Sequence, residues 1–388
     1  MKLACVVHRF GADIAGGSEG HCRLVAQHLA AAHDVTIVTT CAKDHITWRN
    51  HYPAGESRDG ALRVLRFPVV RERSMQRFMD LGDRIFAEGA TPDEERQWFR
   101  ENGPDAPALL AYLAEHGREY DRVLFWAYRY ANTYFGLPLV ADRALLVPTA
   151  EEDPLIHVDA VRDLFALPRA FLFLTPEEEA LVCARVRARR PSATVGCGLD
   201  PAEPRKDRAA LDARGIRDRY VLYLGRVDPN KGCGTLLRHF LRYAEHRRDA
   251  QLVMAGPASM PIPDHPLVRP LGFVDDALRD TLLAHAASLV MPSPFESLSM
   301  VLLEAWNLGV PALVNARCNV LRGQVERADG GLYYGNAVEF AAALDYLLDH
   351  PADAQQLGRQ GLAYVDREYR WPAVMQKVER VLQESAGR

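Results

Sequence analysis

Glu296 and Glu304 stand eight residues apart in Met291-Pro292-Ser293-Pro294-Phe295-Glu296-Ser297-Leu298-Ser299-Met300-Val301-Leu302-Leu303-Glu304-Ala305-Trp306, where an apolar strand breaks at Pro-Ser-Pro and an apolar helix begins. Carboxylates at such a junction can accept hydrogens from ligand hydroxyls; equally, Glu296 can cap the helix while Glu304 faces solvent. Upstream, Tyr223-Leu224-Gly225-Arg226-Val227-Asp228-Pro229-Asn230-Lys231-Gly232 ends a short apolar strand in glycine and delivers two cations before the next helix. A strand, a turn and fixed positive charge suit an anion such as a diphosphate, with Arg226 as a fork and Lys231 as a mobile point charge. The same two cations can also be surface charges flanking a turn.

Hydrophobic patterning supplies the elements that would position these residues. Strands are predicted over 3–7, 35–39, 62–67, 123–126, 144–147 and 171–174, with an amphipathic helix over 20–32 completing a βαβ opening. A segment rich in Gly and Pro over 191–201, behind an arginine-rich helix tail (Arg185, Arg187, Arg189, Arg190), reads as an interdomain linker. Beyond it, strands over 220–224, 252–255, 289–291 and 312–314 alternate with helices over 235–247, 277–285 and 302–308. The pattern predicts an α/β protein with two doubly wound parallel sheets.

Composition excludes several classes. A chain of 388 residues with 48% hydrophobic and 25% charged residues has the size of two ordinary domains. Its net charge of −4 offers no electrostatic footprint for nucleic acid. Seven dispersed cysteines, no two closer than fourteen residues, argue for reduced thiols and a cytoplasmic setting rather than a zinc site. Neither Gly-x-Gly-x-x-Gly nor Gly-x4-Gly-Lys-Ser/Thr occurs, which disfavours a dinucleotide dehydrogenase or a P-loop NTPase.

Together the two charged segments resemble the retaining glycosyltransferases of GT-B fold called family 4, or glycosyl transferases group 1. The resemblance is specific in the C-terminal half and looser in the N-terminal half. It implies two Rossmann-like domains facing across a cleft. Residues 1–195 would form an N-terminal acceptor-binding domain and 196–369 a C-terminal nucleotide-sugar-binding domain, with 370–388 a helix crossing back to the first. It further implies Arg226 and Lys231 on the donor diphosphate, Glu296 on hydroxyls of the donor sugar and Glu304 on the ribose. Gly225, Ser297, Leu298, Ser299, Met300 and Val301 would line the phosphate and sugar, while Phe273 and Val274 would lie at the base, which could be that of UDP, GDP or ADP. Where relatives carry Glu-Gly-x-Gly, this chain has Glu296-Ser297-Leu298-Ser299. No Asp-x-Asp is present, so the cations would replace a divalent metal, and no cofactor is implied.

In the N-terminal half, Ala12-Asp13-Ile14-Ala15-Gly16-Gly17-Ser18-Glu19-Gly20-His21 puts Gly16 and Gly17 between the first strand and its helix. The resemblance gives these glycines to the donor phosphate or the acceptor; a plain turn is the other reading. Glu151, in Pro148-Thr149-Ala150-Glu151-Glu152-Asp153-Pro154, takes the place of a histidine that relatives hold beside the donor sugar. These acids could accept an acceptor hydroxyl or simply begin a helix. His8, His21 and His157 are expected to be surface or satisfied core residues. The segment 71–86 reads as a helix on the N-terminal sheet, or as a basic amphipathic stretch for a lipid-linked acceptor or an anionic membrane face. Trp98-Phe99-Arg100 and Gly103-Pro104 continue this elaboration on the acceptor side.

The implied activity is metal-independent, retaining transfer of a hexosyl unit from a nucleotide-diphosphate sugar to a glycan or lipid-linked hydroxyl, in cell-surface polysaccharide or glycolipid assembly at or near the inner membrane. A sugar-nucleotide epimerase or hydrolase of the same fold, and a non-catalytic nucleotide-sugar-binding scaffold, are the competing readings.

Overall fold

The computed structural model describes residues 1–14, 16–186, 190–203 and 207–386. The chain divides into two compact units, Met1–Gly198 with Val374–Arg388, and Leu199–Ala373.

The first unit is built on an eight-stranded sheet. Its strands are β1 (Lys2–Val6), β2 (Asp34–Thr40), β3 (Gly55–Asp59), β4 (Leu62–Phe67), β5 (Arg122–Trp126), β6 (Ala144–Val147), β7 (Ala170–Phe173) and β8 (Ser192–Thr194). Their order is β3-β4-β2-β1-β5-β6-β7-β8, parallel except for the antiparallel β3-β4 pair. The central strands are unbroken apolar runs because helices cover both faces. Those helices are α1 (Gly17–Leu29), α2 (Met75–Glu88), α3 (Pro92–Asn102), α4 (Pro107–His116), α5 (Ala131–Gly136), α6 (Asp159–Phe165) and α7 (Pro176–Cys183). In α3, Thr91 and Glu94 form a reciprocal capping box with Pro92 in the first turn, so its start is encoded locally.

Two elements depart from expectation. β3 is exposed and entirely polar apart from Gly55, so it has no apolar alternation to detect; it joins β4 through the two-residue turn Gly60-Ala61, with Gly60 at φ 59°. β8 falls in the segment read as linker, where its backbone pairs Ser192–Thr194 with Phe171–Phe173 at the sheet edge. Helix α7 ends at Cys183, before Arg185; Arg187 and Arg189 lie outside the described residues. The segment 71–86 contains α2, whose Ile85 is buried and whose Phe78 and Phe86 rings meet Trp98 of α3 at 5.2 and 5.9 Å.

The second unit has a six-stranded, fully parallel sheet in the order β11-β10-β9-β12-β13-β14. The strands are β9 (Tyr220–Leu224), β10 (Gln251–Ala255), β11 (Val268–Gly272), β12 (Ser288–Met291), β13 (Ala312–Asn315) and β14 (Gly331–Tyr334). The helices are α8 (Ala209–Asp212), α9 (Cys233–Ala244), α10 (Asp276–His285), α11 (Met300–Asn307), α12 (Asn319–Ala328), α13 (Ala337–Asp349) and α14 (Pro351–Glu368). In α9 the buried Leu236, Leu237, Phe240, Tyr243 and Ala244 form one stripe at helical spacing against the sheet core. The last helix, α15 (Trp371–Glu384), lies with the first unit from Val374 onward. Among the described residues no helix is long and apolar enough to cross a membrane.

Candidate functional site

In a doubly wound sheet, ligands gather beyond the carboxyl ends of the strands where the strand order reverses. In the second unit that point lies between β9 and β12. The segment after β9 carries Gly225, Arg226 and Lys231; the segment after β12 carries Pro292 to Ser299.

Two glycines let these segments close on each other and on β10. Gly232 is left-handed at φ 74°, and a Cβ there would stand 2.2 Å from the Pro292 carbonyl oxygen. At Gly256, after β10, φ is 141° and a Cβ would stand 1.9 Å from the Gly225 oxygen. The approach at Gly232 brings Lys231 Nζ to 2.8 Å from Glu296 Oε1, with the Glu296 side chain only 11% exposed. Asp228 shapes the turn by accepting from the Asn230 amide at 2.8 Å and the Ser259 hydroxyl at 2.9 Å. Asn315, at the end of β13, donates its amide to the Pro292 oxygen at 3.0 Å and so holds the Pro-Ser-Pro lead-in.

Arg226 is half exposed, with Nη1 4.0 Å from Asp228 Oδ2, while its carbonyl accepts from the buried Tyr223 hydroxyl at 2.6 Å. The backbone is thus anchored and the guanidinium faces solvent.

Capping of α11 falls to Ser299, whose hydroxyl accepts from the Leu302 amide at 3.3 Å, rather than to Glu296. Glu304 is not a solvated residue either. Burial raises its carboxyl above the ordinary range, and Arg279 of α10 opposes that shift. Arg279 is a site residue that sequence reasoning missed, since nothing in the spacing of two separate helices pairs them. Around this edge, Leu298 is buried, Ser297 is half-buried, and Met300 and Val301 open α11. Phe273 is 79% exposed beyond β11, next to the half-buried Val274 and the α10 cap Asp275.

The first unit has its own reversal point, between β1 and β5. Gly16 precedes α1, and a Cβ there would lie 2.3 Å from Glu19 Oε2; at Gly17 the same atom would meet open space. Glu19 is buried against His8, whose Nε2 lies 2.9 Å from Oε1, against the Arg9 guanidinium, and against the Ser18 hydroxyl at 2.8 Å. Burial alone would raise the Glu19 carboxyl, but His8 and Arg9 outweigh it and hold it below the ordinary range. Burial lowers His8 while Glu19 opposes that shift, and its ring lies 3.8 Å from that of Tyr130. His8, Arg9 and Glu19 were missed as a group. Their one legible signal was position, directly after β1.

His21 is a satisfied core residue, accepting from Trp126 Nε1 at 2.9 Å and contacting the Gly196 oxygen at 2.9 Å. Of the acids after β6, Asp153 caps the following turn through the Leu155 amide at 3.1 Å and pairs with Arg129 at 2.5 Å. Glu151 lies 3.8 Å from the same guanidinium. Its loop is pinned by Glu178 of α7, which accepts from the Ala150 and Leu174 amides at 2.6 and 2.5 Å. Burial pushes the Glu178 carboxyl up to about 8 against those amide contacts. Thr149 in this loop takes a left-handed φ of 51°, a strained conformation for a β-branched residue.

Residues 218–350 match the family described as glycosyl transferases group 1. The D-inositol 3-phosphate glycosyltransferase of Kribbella flavida is 26% identical over a match covering 62% of this chain and 62% of that protein. The match therefore spans less than two thirds of the relative. Among solved structures, sucrose-phosphate synthase from Thermosynechococcus elongatus superposes with a TM-score of 0.74 at 18% identity, covering 99% of each chain. The trehalose 6-phosphate synthase of Burkholderia multivorans gives 0.73 at 14% identity, covering 100% of this chain and 99% of its own. Anabaena HepE in complex with UDP gives 0.71 at 15%, covering 99% and 100%. Residues 218–350 thus match the glycosyl transferases group 1 family, in a chain whose two Rossmann-like units have the GT-B fold.

Proposed function

We propose that the chain is a metal-independent, retaining glycosyltransferase that moves a hexosyl unit from a nucleotide-diphosphate sugar to a hydroxyl of a glycan or lipid-linked acceptor. The observation that carries this reading is the joining of Lys231 and Glu296 at the reversal point of the second sheet, with Arg226 open beside them. Uridine is the favoured base, because the HepE structures hold UDP and UDP-glucose.

On donor binding, Lys231 exchanges Glu296 for a phosphate oxygen, and Arg226 takes another as a fork. Glu296 is then released to accept from sugar hydroxyls, and Glu304 to accept from the ribose. The bond between the anomeric carbon and the diphosphate oxygen breaks, and its electron pair leaves with the diphosphate. The acceptor oxygen bonds to the same face, and its proton passes to the departing phosphate oxygen. The two cations and the first amides of α11 stabilise the charge that grows on the leaving group. Gly16 and Gly17 serve the acceptor or the donor phosphate, and Glu151 accepts from an acceptor hydroxyl. The cell-surface setting, at the cytoplasmic membrane face, is carried by the family resemblance alone.

Calorimetry with UDP, GDP and ADP, without added metal, tests the site. One nucleotide is expected to bind, with Arg226→Ala/Lys231→Ala weakening it at least tenfold and suppressing transfer about 100-fold. Glu304→Ala should weaken binding alone. No binding by the wild type, or unchanged transfer in the double variant, overturns the reading.

A further inference from the structure

A second candidate site lies in the first unit. A half-open pocket of about 550 Å³ is enclosed by the end of α3, the segment before α4, and α5. Its walls include Leu110, Phe135 and Leu139, and Leu139 is 46% exposed.

Three polar observations converge on it. Arg96 and Arg100, one helical turn apart on α3, both stand over the Phe135 ring, at 5.5 and 5.7 Å from its centroid. Among the described residues neither guanidinium is in an ion pair, and the pocket's one acid, Asp105, is taken by Arg71 at 3.5 Å. Asn132 lines the same pocket, is 2% exposed, and has no hydrogen-bond partner on either Nδ2 or Oδ1. A buried amide missing both donor and acceptor partners carries a desolvation penalty that a bound polar group would relieve. Two like charges held side by side repel, and an anion between them removes that repulsion.

We infer that this pocket binds an amphiphilic anion, a phosphate carried on an apolar body. The phosphate sits between Arg96 and Arg100 and reaches toward the Asn132 amide. The apolar body lies on Phe135, Leu110 and Leu139, leaving at the exposed leucine. The inference stands on the first unit alone and is independent of the donor site.

Octyl phosphate below its micellar concentration is the probe, with octanol and inorganic phosphate as half-ligands, followed by calorimetry on the full chain. Octyl phosphate is expected to bind at least tenfold more tightly than either half. Arg96→Gln/Arg100→Gln should weaken it about tenfold or more, and Asn132→Leu severalfold. Both arginines are exposed, so the double variant should remain folded. Co-sedimentation with phosphatidic acid vesicles, against phosphatidylcholine vesicles, separates the two sources. Retention on the former that is lost in the double variant assigns a lipid headgroup; soluble binding without retention assigns a free organic phosphate. Failure of octyl phosphate to bind, or equal binding in the double variant, overturns the inference and leaves Asn132 to water.

Discussion

At the residue scale, the legible chemistry is that of residues whose partners lie in the same short segment. Arg226 and Lys231 stand out because a strand, a glycine and two cations follow one another. The Lys231–Glu296 pair could be suspected only once a ligand was imagined, since 65 residues separate them. The buried trio of His8, Arg9 and Glu19 was illegible, because an isolated histidine and a common acid carry no sign that they will meet inside the fold. That trio explains why residue 16 is glycine. Its φ of −163° is open to any residue, so the requirement is steric, set by the Glu19 carboxylate 2.3 Å from where a Cβ would stand. Gly16→Ala is therefore expected to lose about 1–3 kcal/mol, by pushing Glu19 off its partners. In a Glu19→Ala background the same change should cost little. A urea-denaturation cycle over the four proteins should yield a coupling of about 1 kcal/mol or more, and additive losses would refute the steric account.

At the element scale, most strands were readable because both faces of each sheet are covered, so the central strands are continuous apolar runs. β3, β8 and β14 escaped because an edge strand is held by backbone pairing, which any sequence can supply. Helix α1 shows how an element is fixed by one side chain. His21 takes the Trp126 Nε1 proton on Nδ1, so its own proton must sit on Nε2 and point at the Gly196 oxygen. Protonating Nδ1 would set two donors against each other in a buried site, and burial accordingly lowers His21 from 6.5 to about 4. The unfolded chain binds a proton between those values and the folded chain does not, so stability is lost as pH falls through that interval and is constant above it. The full loss approaches about 3 kcal/mol. NMR titration of the imidazole should give a midpoint near 4 in the folded protein, while a midpoint at the ordinary value would break the argument.

At the scale of the whole molecule, the chain leaves the first unit after Gly198 and re-enters it at Val374. It was the family resemblance that set the last helix back on the first domain; an apolar stripe by itself says only that something covers it. Val374, Val378, Val381 and Leu382 are each no more than 1% exposed. Glu379 reaches His33 at 2.8 Å, and the Ser385 hydroxyl accepts from Arg122 at 2.9 Å, so α15 joins residues at the amino ends of β2 and β5. Burial of each aliphatic side chain contributes about 1.5–3 kcal/mol, and four of them together rival the 5–15 kcal/mol that ordinarily separates folded from unfolded. Removing residues 374–388 should therefore loosen the first unit selectively. Hydrogen exchange in the truncated protein is expected to rise across β1, α1 and β2, while β9 to β14 keep their protection, because the residues removed group with the first unit. Equal loosening of both sheets would show that the two units unfold as one, and unchanged exchange in the first would show that its core is complete without the helix.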